Sequence, residues 1–213
     1  FFVCFSAKSN ALAELLDRIE QNPTALQIDQ VEKRQIELFY RAKPAETLAI
    51  IQSFRTKGLH IPAEVNHYLL EIETISNYNL GNLNKAIQHN DAQLNNLQYF
   101  QFELADSLGI LANRMILFYT TEQPINALSF GIQLEKKLSA IPLNEKTIRL
   151  HKLLATIYGL LGFEKDAFRV LESTIDKLKN EGLQEFLGEF YVVKAFELLK
   201  NGAYENVLQF ATM

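Results

Sequence analysis

The chain has 213 residues, 48% of them apolar and 22% charged, with a formal charge of −4 at neutral pH. That length and composition allow one sizeable domain, or two small ones, with an ordinary core, and they exclude a disordered, collagen-like or mucin-like chain. The 21 basic and 25 acidic side chains are interspersed, which argues against a basic field for nucleic acid, and the single cysteine, Cys4, excludes an internal disulfide.

The opening Phe1-Phe2-Val3-Cys4-Phe5, followed by small residues, reads as the tail of an export signal's apolar region. Ala7-x-Ser9 would be its cleavage site and residues 1–9 its remnant. A short strand or the apolar end of a first helix is the alternative. Residues 10–213 are expected to form a single helical domain. Leu12, Leu15, Leu16 and Ile19 make the stripe of a first helix, ended near Gln21 by Asn22-Pro23. A second helix is predicted from about Leu26 to Tyr40, and a third from Pro44, suited to a first helical position, to Lys57-Gly58. The fourth runs from near Pro62 to Tyr78 and stops at Leu80-Gly81-Asn82. Helices follow at about 83–97, 101–120, 125–139, 144–161, 164–180, 183–200 and from 203 onward. Leu208 to Met213 reads as an unfinished helix, so the chain is expected to continue. No run of about 18 apolar residues suggests a membrane span.

Small residues recur at a fixed interval in these helices. Ala167 lies 40 residues after Ala127, Ala127 lies 41 after Ala86, and Ala86 lies 39 after Thr47. The sharpest unit is Leu154-Ala155-x-x-Tyr158-x-x-x-Gly162-x-x-x-x-Ala167-x-x-x-Leu171. Forty residues on stand Ala195, Leu198, Gly202, Tyr204, Val207 and Ala211. Packing explains these residue types. A small residue in each helix lets a hairpin close, a glycine supplies the turn, and stacked hairpins bury the faces that one alone leaves open.

Catalytic signatures are missing from the pattern. Neither phosphate-binding glycine loops, nor a G-x-S-x-G elbow, nor H-E-x-x-H occurs. His67 and Glu71 are four apart and could share a metal, but no second cluster accompanies them; Glu71 and Glu73 do not face the same way. His151 reads as a core histidine, and Tyr158, Tyr191 and Tyr204, with Phe186, Phe190 and Phe196, as packing residues. The asparagines across 77–96 fit either a solvated helix face or a ligand-facing polar surface. No metal, cofactor, nucleic acid or enzymatic activity is expected of these residues.

The spacing of Ala155, Tyr158, Gly162 and Ala167, repeated through Ala195, Gly202, Tyr204 and Val207, resembles the tetratricopeptide repeat family. His151 and Tyr191 occupy its large aromatic position. The resemblance covers about residues 24–213 and is closest at 147–211. An interval of about 40 rather than the family's 34, and Glu122, Met115 and Thr74 at signature positions, depart from it.

The resemblance implies an all-α fold, a right-handed α-solenoid of antiparallel helical hairpins with at least five hairpins stacked. Its concave face would hold a peptide or protein segment. Carried over by position, that face comprises Tyr68, Glu71, Ile75 and Tyr78; then Ala112, Ile116 and Tyr119; then Arg149, Lys152 and Thr156; then Glu189, Val192 and Phe196. Arg149 and Lys152 beside Glu189 would anchor a charged partner. The resemblance extends to exported arrays, which implies the extracytoplasmic, periplasmic input domain of a bacterial sensor; a cytosolic peptide-responsive regulator is the other context. A scaffold or dimerisation module, self-associating through an exposed solenoid edge, is the remaining alternative.

Overall fold

The computed structural model describes residues 10–22, 30–99 and 104–202. The expected signal remnant at 1–9, the start of the second helix near Leu26, and Tyr204, Val207 and Ala211 of the last helix lie outside the described residues. Among those described there are ten α-helices and no strand. They are α1 (Asn10–Gln21), α2 (Gln30–Ala42), α3 (Pro44–Thr56), α4 (Ala63–Asn79), α5 (Leu83–Tyr99), α6 (Leu104–Thr120), α7 (Pro124–Leu138), α8 (Glu145–Leu160), α9 (Glu164–Asn180) and α10 (Leu187–Lys200). Where a helix from 183 was expected, a single 3₁₀ turn (Gln184–Phe186) comes first, closed by the Phe186 N–H on the Leu183 carbonyl at 3.3 Å.

Four helix ends follow one device. After α4, Gly81 takes φ +75°, its N–H bonds the Tyr78 carbonyl, and the Asn82 N–H bonds the Asn77 carbonyl at 2.8 Å. This pair of bonds satisfies carbonyls that the helix leaves open and turns the chain back within three residues. It recurs at Gly162 (φ +85°) after α8 and at Gly182 after α9. After α6 the same bonds form around Glu122, at φ 56°, the one non-glycine residue with positive φ among those described. Ala86, Ala127 and Ala167, beyond the turns at Gly81, Glu122 and Gly162, and Thr47, just after Pro44, each donate their N–H to the carbonyl four residues back at 3.0 Å, and each is fully buried. The interval seen in the sequence is therefore a structural register.

The chain divides at Glu103–Leu104 into two compact units. In the first, α4 and α5 form the most extensive pair, and the apolar core joins Leu12, Leu15 and Ile19 of α1 to Ile36 and Phe39 of α2, Ile51 and Phe54 of α3, and Leu69 and Ile72 of α4. An ion pair enters this interior: the Arg55 guanidinium donates to both Glu73 oxygens, at 3.0 and 2.7 Å, and to Asn66 Oδ1 at 3.0 Å. In the second unit α6 pairs with α7 and α8 with α9, while α8 also touches α6 and α10. Its core runs from Leu108 and Met115 through Leu134, Leu154, Tyr158, Ala167 and Leu171 to Phe190. Burial on this scale contributes about 1.5–3 kcal/mol per large apolar side chain before conformational entropy is set against it.

Candidate binding face

In the second unit the expected face is built on α8 and α10. The first of these begins with a capping box: the Asn144 side chain accepts from the Thr147 N–H at 2.9 Å, and the Thr147 hydroxyl accepts from the Asn144 N–H at 2.8 Å. That reciprocal cap fixes where the helix starts and so which residues share a side. Arg149, Lys152 and Thr156 fall on one stripe, with Gly159 continuing it. Arg149 is exposed and pairs along its own helix with Glu145 at 2.5 Å. The Lys152 ammonium instead reaches across to the Glu189 carboxylate on α10. That hydrogen bond, then the charges of Lys152 and Arg149, hold the Glu189 carboxyl below the usual carboxylate range. The three charges are thus brought together, with Lys152 rather than Arg149 making the direct bond.

Farther along, α8 and α10 approach closely. A Cβ placed on Gly159 would lie 2.1 Å from Glu197 Oε1, so only glycine fits beneath this side chain as it stands. Glu197 is buried, its Oε2 has no hydrogen-bond partner, and burial pushes its carboxyl above the usual range. Lys200 closes the contact by donating to the Gly159 carbonyl at 2.5 Å.

The remaining expected residues separate into three environments. Ala112 of α6 is buried in the unit's core, and Ile116 and Tyr119 are half-buried, so this part of the stripe is mostly interior. Thr156 is half-buried and turns its hydroxyl back onto the Lys152 carbonyl at 2.9 Å, where it does not present itself to a ligand. Val192 and Phe196 stand open, 64% and 72% exposed. In the first unit, Tyr68 and Ile75 pack on that unit's core, and Glu71 and Tyr78 are half-buried. Burial, more than the neighbouring Tyr40 and Glu71, raises the Tyr68 phenol far above its ordinary value.

The repeat positions are structural. Ala155 is fully buried, and Tyr158, also buried, donates its hydroxyl to Glu135 Oε2 at 3.1 Å. Glu135 in turn accepts from Arg169, which also bonds Asp166 at 2.9 Å. Ala195 is half-buried, and Gly202 takes φ +72°. His151 lies in the core as expected, its Nε2 without a partner, and burial followed by the charge of Lys177 lowers its pKa to about 4. Of the pair considered for a metal, His67 is buried and Glu71 half-buried; no group of three metal-ligating side chains occurs among the described residues. No described helix is long and apolar enough to cross a membrane.

Sequence reasoning missed two polar clusters. One is the Arg55–Glu73–Asn66 set, with His89 Nδ1 3.8 Å from Glu73. The signal was present: position 73 falls on the buried stripe with Leu69, Ile72 and Ser76, where a lone Glu calls for a cation. The other is Arg114, buried in α6 with its guanidinium 4.6 Å from the Phe118 ring centre and 5.8 Å from that of Phe130. Those two rings stack at 5.6 Å. Only the i,i+4 spacing of Arg114 and Phe118 hinted at it. Compared with protein-family models, with curated proteins and with solved structures, the chain matches none.

Proposed function

We propose that the chain is a non-catalytic protein-binding module, a right-handed α-solenoid of the tetratricopeptide kind, that holds a charged peptide segment against α8 and α10. The turns at Gly81, Glu122, Gly162 and Gly202, the buried small residues at 47, 86, 127 and 167, and the contacts of α8 with both α6 and α10 support the repeat reading. The observation that carries the binding reading is the charge arrangement at the face. Arg149 is exposed and held only by an i,i+4 pair with Glu145, and the Lys152–Glu189 bridge lies beside it. Exposed pairs of this kind contribute well under about 1 kcal/mol, so a partner's acidic group can displace Glu145 at little cost. Its basic group would meet Glu189. Such charges set orientation and specificity more than total affinity.

The test is calorimetric titration with a partner peptide first identified by affinity capture, using the double variant Arg149→Glu/Lys152→Glu. Helicity and melting temperature should persist while affinity falls at least tenfold, about 1.4 kcal/mol. Unchanged affinity in the folded variant would remove this face from the recognition reading.

A further inference from the structure

The two carboxylates of α10 meet opposite surroundings: Glu189 is exposed and Glu197 is buried. A Cβ on Gly159 would stand 2.1 Å from Glu197 Oε1, 2.4 Å from Cδ and 2.6 Å from Oε2. The part of the side chain pressed onto α8 is thus the carboxyl group itself. A glutamate is ordinarily buried only when it is paired, yet Oε2 has no hydrogen-bond partner.

The charges around it do little to offset that burial. Lys200, one turn on, donates to the Gly159 carbonyl at 2.5 Å, so its charge acts on Glu197 only through space. Glu164, at the start of α9, acts in the opposite sense. Next to it, Lys165 is exposed and Asp166 is held by Arg169. The other charged groups of the neighbouring elements are turned elsewhere. Lys152 of α8 pairs with Glu189, and Glu172 of α9 with Lys194. His151 of α8 feels Lys177 and Glu135, and Glu185 of the 3₁₀ turn lies at the far end of α10. A carboxylate pressed between two helices with so little compensation is relieved by taking a proton.

We propose that the last turns of α10 seat on α8 with uptake of a proton at Glu197, so that the contact tightens in mild acid and loosens toward neutral pH. The proton comes from solvent and returns to it when the helix lifts. The sign follows from burial. Seated, the carboxyl holds its proton to a higher pH; lifted into water, it regains its ordinary value of 4.5. Such a group strengthens the seated form fully below that ordinary value, and the gain is lost as the pH rises through the seated one. Glu189, Val192 and Phe196 ride on the same helix, so the shape of the α8–α10 face follows the seating whether or not a peptide binds there.

Hydrogen exchange read by mass spectrometry on the whole chain tests this, following peptides that cover 187–200 in the wild type and in Glu197→Gln. Each variant is compared with wild type at the same pH, which cancels intrinsic exchange and the titration of His151. At about pH 7.5 the Gln variant should protect α10 at least about threefold more than wild type, and at about pH 4.5 the two should agree within about twofold. Glu197→Met, uncharged and of similar length, is read in the same way should the amide disturb the contact. Glu185→Gln, at an exposed carboxylate, should match wild type at both values. Uncharged variants at 197 that protect α10 no better than wild type at the higher pH, an advantage that is equal at both values, or a Glu185→Gln variant that reproduces the effect would each overturn the proposal.

Discussion

Glu122 occupies a backbone position that five other helix ends give to glycine. Its φ of 56° places Cβ close to the following carbonyl, at a cost of about 1–2 kcal/mol for a side chain of this hand. Glycine there loses part of that gain through greater freedom in the unfolded chain. Glu122→Gly should therefore stabilise the second unit by about 0.5–1 kcal/mol, seen as a higher denaturant midpoint with an unchanged slope. His151 acts in the opposite direction. Burial keeps its pKa at about 4 in the folded chain, against 6.5 in the unfolded one. The unfolded state thus binds the proton first. Stability is complete above pH 6.5 and falls as the pH drops toward 4, by about 3 kcal/mol in all. His151→Leu should flatten that part of the profile, and a variant whose midpoint falls as steeply as wild type between those limits would contradict the assignment.

At the scale of elements, glycine in mid-helix normally weakens a helix by about 0.5–1 kcal/mol relative to alanine. Gly131 of α7 inverts that expectation. A Cβ there would stand 2.8 Å from Tyr158 Cε1 and 3.3 Å from Met115 Sδ, and Tyr158 is pinned by its bond to Glu135. Overpacking at about 1–3 kcal/mol outweighs the gain in propensity. Gly131→Ala should lower the melting temperature, whereas a rise would show that the α6, α7 and α8 contact can spread. Much at this scale was legible in the sequence, because each boundary has a local cause. Pro44 and Pro124 open helices at their first position, and Gly58, Gly81, Gly162, Gly182 and Gly202 close them in the left-handed region. Position 122 lacked the glycine but kept the interval.

For the whole molecule the legible and illegible parts separate by range. Helical periodicity identified the stripe 149, 152, 156 on α8 and its counterpart 189, 192, 196 on α10. It carried no information about which side of each stripe the next helix would cover. That depends on how closely the helices approach, and the approach rests on Glu197 lying over Gly159, 38 positions away in sequence. Ala112 shows the same limit, since its size suits an inner face and a core equally well. The division into two units was also unreadable, because the register of small residues continues from 86 to 127 across it.

The Arg55–Glu73 pair bears on how the first unit avoids wrong arrangements of its own helices. Apolar ridges on α3 and α4 tolerate sliding, since one aliphatic contact replaces another at similar energy. A slip of one helical turn displaces α3 by about 5.4 Å. Such a shift draws the guanidinium away from both carboxylate oxygens and from Asn66, and strands a charge in the interior at a cost of about 3–5 kcal/mol. Neighbouring alignments of the same two helices are thus raised in energy even though their apolar contacts survive. The pair thus favours the observed alignment of α3 on α4, in which the guanidinium reaches both carboxylate oxygens and Asn66.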